Sequence, residues 1–170
     1  MTVHALVQRA DAALAWAEQV IVVLLTGGIT AIMMTQVVLR YFFGAPLFWA
    51  EEISVQLLVF ASVFGLALLT RRGDLVSIDF LPRALPPRAR HALLAALGLV
   101  MLAVIAFVAW YAWDWISRPE VRIELSATTQ LPRWWTYAVL PVGLSCMAAH
   151  QVAAVLRHLA ALRGPQGAHP

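Results

Sequence analysis

The chain has 170 residues, of which 62% are hydrophobic and only 12% are charged. Soluble domains carry about 25% charged residues, so this composition excludes an ordinary soluble domain and indicates an integral membrane protein. The net charge is +3, and the twelve Lys and Arg positions are all arginines. They lie between apolar stretches rather than in one patch, which indicates membrane topology and not binding to nucleic acid. The single cysteine, Cys146, excludes an internal disulfide.

Four long apolar stretches predict an all-α integral membrane protein with four transmembrane helices and short interfacial helices, in a single membrane domain over residues 1–170. Each stretch is long enough to cross a hydrocarbon core of about 30 Å at about 1.5 Å per helical residue. The predicted spans are residues 15–39, 48–69, 92–113 and 134–156.

Residues 1–14 precede the first span and leave two interpretations open. Val3, Leu6, Val7 and Ala10 recur near the helical period, so they share one face of a helix. That face suits a short helix lying in the membrane interface. It suits an extension of the first span just as well.

The second span follows a turn and is bounded by opposite charges. Gly44 and Pro46 interrupt the apolar pattern, which marks the turn between the first two spans. The bounding residues are Trp49, Glu51 and Glu52 at its start and Arg71 and Arg72 at its end.

The loop over residues 70–90 is basic and predicts a short interfacial helix whose length its prolines limit. Asp74 and Asp79 are expected to cap that helix or to pair with Arg71 or Arg72, which is a structural role rather than a catalytic one.

The distribution of arginines predicts the orientation of the four spans. With four spans both termini share a side, and eight arginines fall on that side against four on the other. The excess places both termini in the cytoplasm. The eight are Arg9, Arg71, Arg72, Arg83, Arg88, Arg90, Arg157 and Arg163, and the four are Arg40, Arg118, Arg122 and Arg133.

Glu51 and Glu52 are the sharpest polar feature. Neighbouring helical residues point about 100° apart, so the two carboxylates cannot form a like-facing acid pair. One interpretation is an intramembrane carboxylate that binds a proton or cation, or that pairs with a partner helix. The other is a first-turn carboxylate that the helix dipole favours and water reaches. The first-turn interpretation is expected for one of the two glutamates, and the other is expected to pair with Arg40 or with an arginine of residues 118–133. Gln56 shares the helical face of Glu52.

Other functional classes have weaker support. His91 and His150 fall near the same end of neighbouring spans, so a bis-histidine haem site in a small b-type cytochrome anchor is conceivable. The simpler interpretation is that His91 begins a helix and His150 packs beside Gln151. A self-sufficient exporter would use Glu18 or Glu52.

The sequence predicts neither an enzyme nor a carrier. It holds no Gly-rich phosphate loop, metal-ligand cluster or nucleophile–base pair, so no catalytic residue, metal site or cofactor is expected. The centres of the four spans are nearly bare of ionisable groups, which is typical of a helical support rather than of a protein with its own pathway.

Several motifs in this order carry a resemblance over residues 15–157. They are Arg40-Tyr41, Trp49-Ala50-Glu51-Glu52, Gly65 through Arg72-Gly73, Val76-Ser77-Ile78-Asp79, Leu131-Pro132-Arg133-Trp134-Trp135 and Pro141-Val142-Gly143. Together they resemble the small membrane subunit, DctQ type, of tripartite ATP-independent periplasmic (TRAP) transporters.

The resemblance implies an accessory scaffold in the bacterial inner membrane. Such a subunit pairs with a large sodium-coupled elevator subunit, which holds the sodium and substrate sites, and a periplasmic binding protein delivers an organic acid. No substrate-binding residue is then expected in this chain. The candidates for the subunit interface or a structural role are Arg40, Trp49, Glu51, Glu52, Gln56 and Asp79. The candidates for contact with the binding protein are Arg118, Arg122 and Arg133.

Overall fold

The computed structural model of the chain describes residues 3–73 and 85–163. Within these ranges the chain forms five α-helices and no β-strand, which confirms the predicted all-α class. They are α1 (Val3–Phe42), α2 (Ala50–Arg72), α3 (Pro87–Ile116), α4 (Pro119–Ile123) and α5 (Trp134–Arg163). All but α4 are long and apolar enough to span a membrane. The predicted interfacial helix with Asp74 and Asp79 lies outside the described residues.

Helix α1 is a single unbroken helix of 40 residues. At about 1.5 Å per residue it is about 60 Å long, which is twice the thickness of a hydrocarbon core. The segment before residue 15 therefore continues the first span and is not a separate interfacial helix. An α1 that crosses a bilayer must tilt or project beyond the hydrocarbon.

A tight turn joins α1 to α2 at the predicted position. Gly44 has a φ of +62°, a conformation that glycine adopts without steric cost. The Leu39 carbonyl accepts hydrogen bonds from the Phe43 N–H at 3.3 Å and the Ala45 N–H at 3.1 Å. The Gln36 side chain accepts the Leu47 N–H at 2.7 Å. The first two bonds satisfy a carbonyl of the last turn of α1, and the third satisfies an N–H of the segment before α2.

The four long helices pack in the order α1, α2, α5, α3, and α1 makes few contacts with α5. The described loops connect the helices at two ends. The terminal end holds the starts of α1 and α3 and the last turns of α2 and α5; the loop end holds the α1–α2 turn and residues 117–133.

The contact between α2 and α5 depends on a glycine. A Cβ atom at Gly143 would overlap the side chain of Val63, so only glycine permits this approach of the two helices. Further along, Ala67 of α2 packs with Ile105 of α3 and Met147 of α5 in the core.

Large apolar side chains cover much of the outer surface. On α1, Trp16 is 70% exposed and Leu24 is 68% exposed; on α3, Phe107 is 64% exposed and Trp110 is 75% exposed. Exposed apolar surface of this extent marks contact with lipid or with other proteins.

Candidate functional site

A cluster at the loop end joins the start of α2 to the segment before α5. We call it the loop cluster; its members are Arg40, Glu51, Glu52, Gln56, Glu124, Ser126, Thr128 and Arg133. The Glu52 carboxylate accepts the Thr128 N–H at 2.9 Å and also the Thr128 hydroxyl. One turn later, the Gln56 amide lies 3.5 Å from the hydroxyl of the buried Ser126. Two side chains on one face of α2 thus hold the loop.

The two neighbouring glutamates have different partners, as their angular separation on the helix requires. Glu51 lies 3.8 Å from Arg40, and both side chains are exposed. The expected pairing with Arg40 is therefore observed for Glu51. Glu52 binds Thr128 instead of an arginine of residues 118–133. Trp49, the residue before α2, is 42% exposed.

The three arginines proposed to contact a binding protein lie at the loop end in different settings. Arg133 pairs with Glu124 at 2.7 Å, and this carboxylate raises the pKa of the guanidinium. Arg118 pairs with Asp114 at 2.9 Å, one turn back on α3. Arg122 is exposed at the end of α4.

A cleft of about 700 Å³ opens below the loop cluster, between α2 and α5. Its walls are largely apolar and its mouth is charged. The walls include Val55, Val59, Val63, Val139 and Leu140, and the mouth includes Glu51, Glu52 and Arg133.

A second cluster, at the terminal end, is formed by ionisable side chains from three helices. We call it the terminal cluster; its members are Asp11 and Glu18 of α1, Arg71 of α2, and His150 and Arg157 of α5. The two ring nitrogens of His150 lie 2.6 Å from Asp11 Oδ1 and 2.9 Å from Glu18 Oε2. Arg71 donates to Asp11 Oδ2 at 2.9 Å, and Arg157 lies 3.8 Å from the same oxygen.

The two carboxylates and the histidine of the terminal cluster are buried, whereas Arg71 and Arg157 are partly exposed. His150 is 0% exposed, Glu18 is 1% exposed and Asp11 is 7% exposed. Buried charges are stable only when they are paired and hydrogen-bonded. The cluster therefore connects α1 to α5 and α2, at a level where α1 and α5 otherwise touch little.

Sequence reasoning missed the terminal cluster. Asp11 and Glu18 are seven residues apart, so they share one face of α1 after about two helical turns. His150 was expected to pack beside Gln151, but Gln151 instead donates to the Gly98 carbonyl at 3.1 Å. Acidic residues at this spacing, with a histidine in another apolar span, were the available signal.

The bis-histidine haem hypothesis does not fit these positions. Carboxylate oxygens face both nitrogens of His150, so the ring offers no free lone pair to iron. His91 lies against His158 of α5, with 3.3 Å between their Nδ1 atoms, and not against His150. Within the described ranges, no group of three or more His, Cys, Asp or Glu side chains is arranged to hold a metal ion.

Four long apolar helices with exposed apolar surfaces define a multi-pass helical membrane protein. The family model described as "Tripartite ATP-independent periplasmic transporters, DctQ component" matches residues 29–161, and the chain belongs to this family. It is a family of transporter components and not of enzymes. The partners of such a component are, in kind, the other components of a TRAP transporter.

Relatives of known function agree with the family. The chain is 26% identical to the sialic acid TRAP transporter small permease protein SiaQ of Vibrio cholerae, over 86% of this chain and 84% of SiaQ. It is 31% identical to the C4-dicarboxylate TRAP transporter small permease protein DctQ of Rhodobacter capsulatus, over 72% of this chain and 53% of that protein. It is 25% identical to the sialic acid TRAP transporter permease protein SiaT of Haemophilus influenzae, over 67% of this chain but only 18% of SiaT.

Proposed function

We propose that the chain is the accessory subunit of a TRAP transporter, paired with a large sodium-coupled elevator subunit to import an organic acid that a periplasmic binding protein delivers. The observation that carries this proposal is the large apolar surface left exposed by the row of four helices. Such a surface suits a scaffold that contacts a membrane partner on one side and lipid on the other.

The likeness to SiaT supports direct pairing with a large permease. The segment that resembles this chain is a small part of that longer permease protein. When one protein carries as a segment what another organism makes as a separate chain, the two parts commonly work in contact. The rest of the transport machinery would then reside in a separate, larger subunit.

We propose a location in the bacterial inner membrane with both termini in the cytoplasm. Arg71 and Arg157 lie at the terminal end, as the excess of arginines on that side requires. The loop cluster then faces the periplasm. In this orientation Arg118, Arg122 and Arg133 lie where a binding protein docks.

The loop cluster is proposed to shape the subunit interface rather than to bind sodium or substrate. Glu52 and Gln56 hold residues 126–128 in place, while Arg40, Trp49 and Glu51 remain exposed beside them. Asp79, the remaining interface candidate, lies outside the described residues.

The test is affinity purification from native membranes in mild detergent, followed by uptake in proteoliposomes. The expected result is a stoichiometric partner with many spans, and organic-acid uptake that needs both subunits, the binding protein and a sodium gradient. A homo-oligomer without such a partner would contradict the proposal, as would uptake that is unchanged when this chain is left out.

A further inference from the structure

The terminal cluster is not used in the proposed transport role. The distances around His150 determine how many protons the cluster holds. A neutral imidazole has one N–H donor and one acceptor nitrogen. Both nitrogens of His150 lie within hydrogen-bond distance of a carboxylate oxygen, at 2.6 Å and 2.9 Å. Each contact needs a proton, because two acceptors do not bond. The cluster therefore holds one proton more than a neutral histidine between two ionised carboxylates.

The surroundings indicate where this additional proton lies. Asp11 has an arginine donor at 2.9 Å and a second guanidinium at 3.8 Å, both of which favour its ionised form. Glu18 has no arginine among its described partners, and its Oε1 is buried without a hydrogen bond from any described residue. The thiol of Cys146, a weak donor, lies near Glu18. The additional proton therefore lies between His150 and Glu18.

We propose that His150 and Glu18 form a proton-binding site that locks the N-terminal part of α1 onto α5. With the proton bound, both ring nitrogens make a hydrogen bond. Each nitrogen either donates its N–H to a carboxylate or accepts the O–H of a protonated carboxyl group. When the proton leaves, an unprotonated ring nitrogen faces an ionised carboxylate in a buried site, which is unfavourable. Because the proton is bound at low pH and lost as pH rises, the contact between α1 and α5 should weaken with rising pH.

Among the described residues, ionisable groups from three helices lie at this site. Helix α1 contributes Asp11 and Glu18, and α2 contributes Arg71. Helix α5 itself contributes Arg157 and Cys146. Helix α3 packs on another face of α5, where its described polar contacts are the Gly98 carbonyl with Gln151 and the imidazole of His91 with that of His158.

Amide hydrogen exchange of residues 6–20, measured in the full chain in lipid nanodiscs, tests the proposal. The pH is varied from about 5 to about 9, a range that brackets ordinary imidazole titration. After correction for intrinsic exchange, the wild-type segment should exchange at least about tenfold faster at the alkaline end, which corresponds to about 1.4 kcal/mol. Exchange that does not change with pH would overturn the proposal.

Glu18→Gln is the decisive variant. The glutamine amide can donate to a neutral His150, which then donates its other N–H to Asp11, so the variant reproduces the protonated site without the additional proton. Residues 6–20 should stay protected at every pH. If Glu18→Gln keeps the pH dependence of the wild type, the proposal is wrong.

Two further variants complete the test. His150→Gln leaves one carboxylate without a donor and should raise exchange at every pH. His158→Gln is the matched control, because it removes a different, partly buried histidine contact at this end, the one between His158 and His91. This variant should leave the pH dependence of exchange in residues 6–20 unchanged. If the pH dependence is lost in His158→Gln, the assignment to His150 and Glu18 is wrong. The outcome does not depend on which transport partner the chain has.

Discussion

At the residue scale, Glu52 and Glu51 form a matched pair for mutation. Glu52 accepts two hydrogen bonds from Thr128, whereas Glu51 has only an exposed arginine at 3.8 Å. Glu52→Ala should release the loop over residues 126–128 and reduce the amount of copurified partner severalfold. Glu51→Ala should have little effect, because exposed ion pairs contribute little. Partner yield and the sodium dependence of uptake are measured for both variants.

The result that opposes this role for Glu52 is specific. If Glu52→Ala leaves the complex intact and stable but changes the sodium dependence of uptake, the carboxylate takes part in ion coupling and not in assembly. Equal losses of partner for the two alanine variants would also contradict the prediction, since only Glu52 holds Thr128.

The three arginines at the loop end test the docking of the binding protein. Reversing the charge at Arg118, Arg122 and Arg133 should slow uptake that depends on the binding protein, and the effect should weaken at high salt because charge steers association. Arg122→Glu comes first, since Arg118 and Arg133 already pair with carboxylates within the chain. Arg72→Glu, at the terminal end, is the control for a simple change in net charge.

If uptake is unchanged when the charges of all three arginines are reversed, these arginines do not form the docking surface. A loss that Arg72→Glu reproduces would point instead to a defect in membrane insertion. Initial rates at several concentrations of the binding protein separate weaker docking from slower transport.

At the element scale, the crossing of α2 and α5 depends on Gly143. A methyl group there would overlap Val63, so Gly143→Ala must push the two helices apart. Overpacking of this kind costs about 1–3 kcal/mol. The melting temperature of the purified protein should fall, and Val63→Ala should restore part of the loss. Gly65→Ala is the control, because nothing lies within 4 Å of a Cβ at that position. Equal melting temperatures for the two glycine variants would contradict the prediction.

The helices themselves were predictable from the sequence to different degrees. Four long apolar stretches leave little choice but four spans, since only a helix satisfies its own backbone hydrogen bonds in lipid. The start of α1 was predicted only as one of two alternatives, because Asp11 and Glu18 look like the polar end of a span. Their partner His150 is more than 130 residues away in the sequence, and no local pattern indicates such a contact.

The contacts of the loop cluster were also only partly predictable from the sequence. The separate directions of Glu51 and Glu52 follow from helix geometry, but the choice of Thr128 as the partner of Glu52 does not. A backbone N–H and a hydroxyl carry no charge that a sequence search could pair with a carboxylate. The arginine partner expected for one of the two glutamates is Arg40, which lies beside Glu51, whereas Glu52 binds Thr128.

At the scale of the whole molecule, the arrangement of helices places α1 and α3 at the two edges of the row. Both edges expose large apolar side chains, which suit contact with lipid or with another membrane protein. In the proposed complex, a subunit of this form would add breadth and the moving parts would belong to the partner. The described ion pairs lie at the two ends of the helices, so the side of the membrane that each end faces can be measured.

The proposed orientation follows from the arginines and can be tested by labelling single cysteines. The native thiol is removed by Cys146→Ser, and one cysteine is introduced at an exposed position: Ala127→Cys at the loop end or Ala161→Cys at the terminal end. In spheroplasts, a membrane-impermeant maleimide should label position 127 and should reach position 161 only after permeabilisation. The reverse pattern would place the termini in the periplasm. Labelling of both positions in intact spheroplasts would mean mixed insertion, and either result would contradict the eight-to-four distribution of arginines as the determinant of topology.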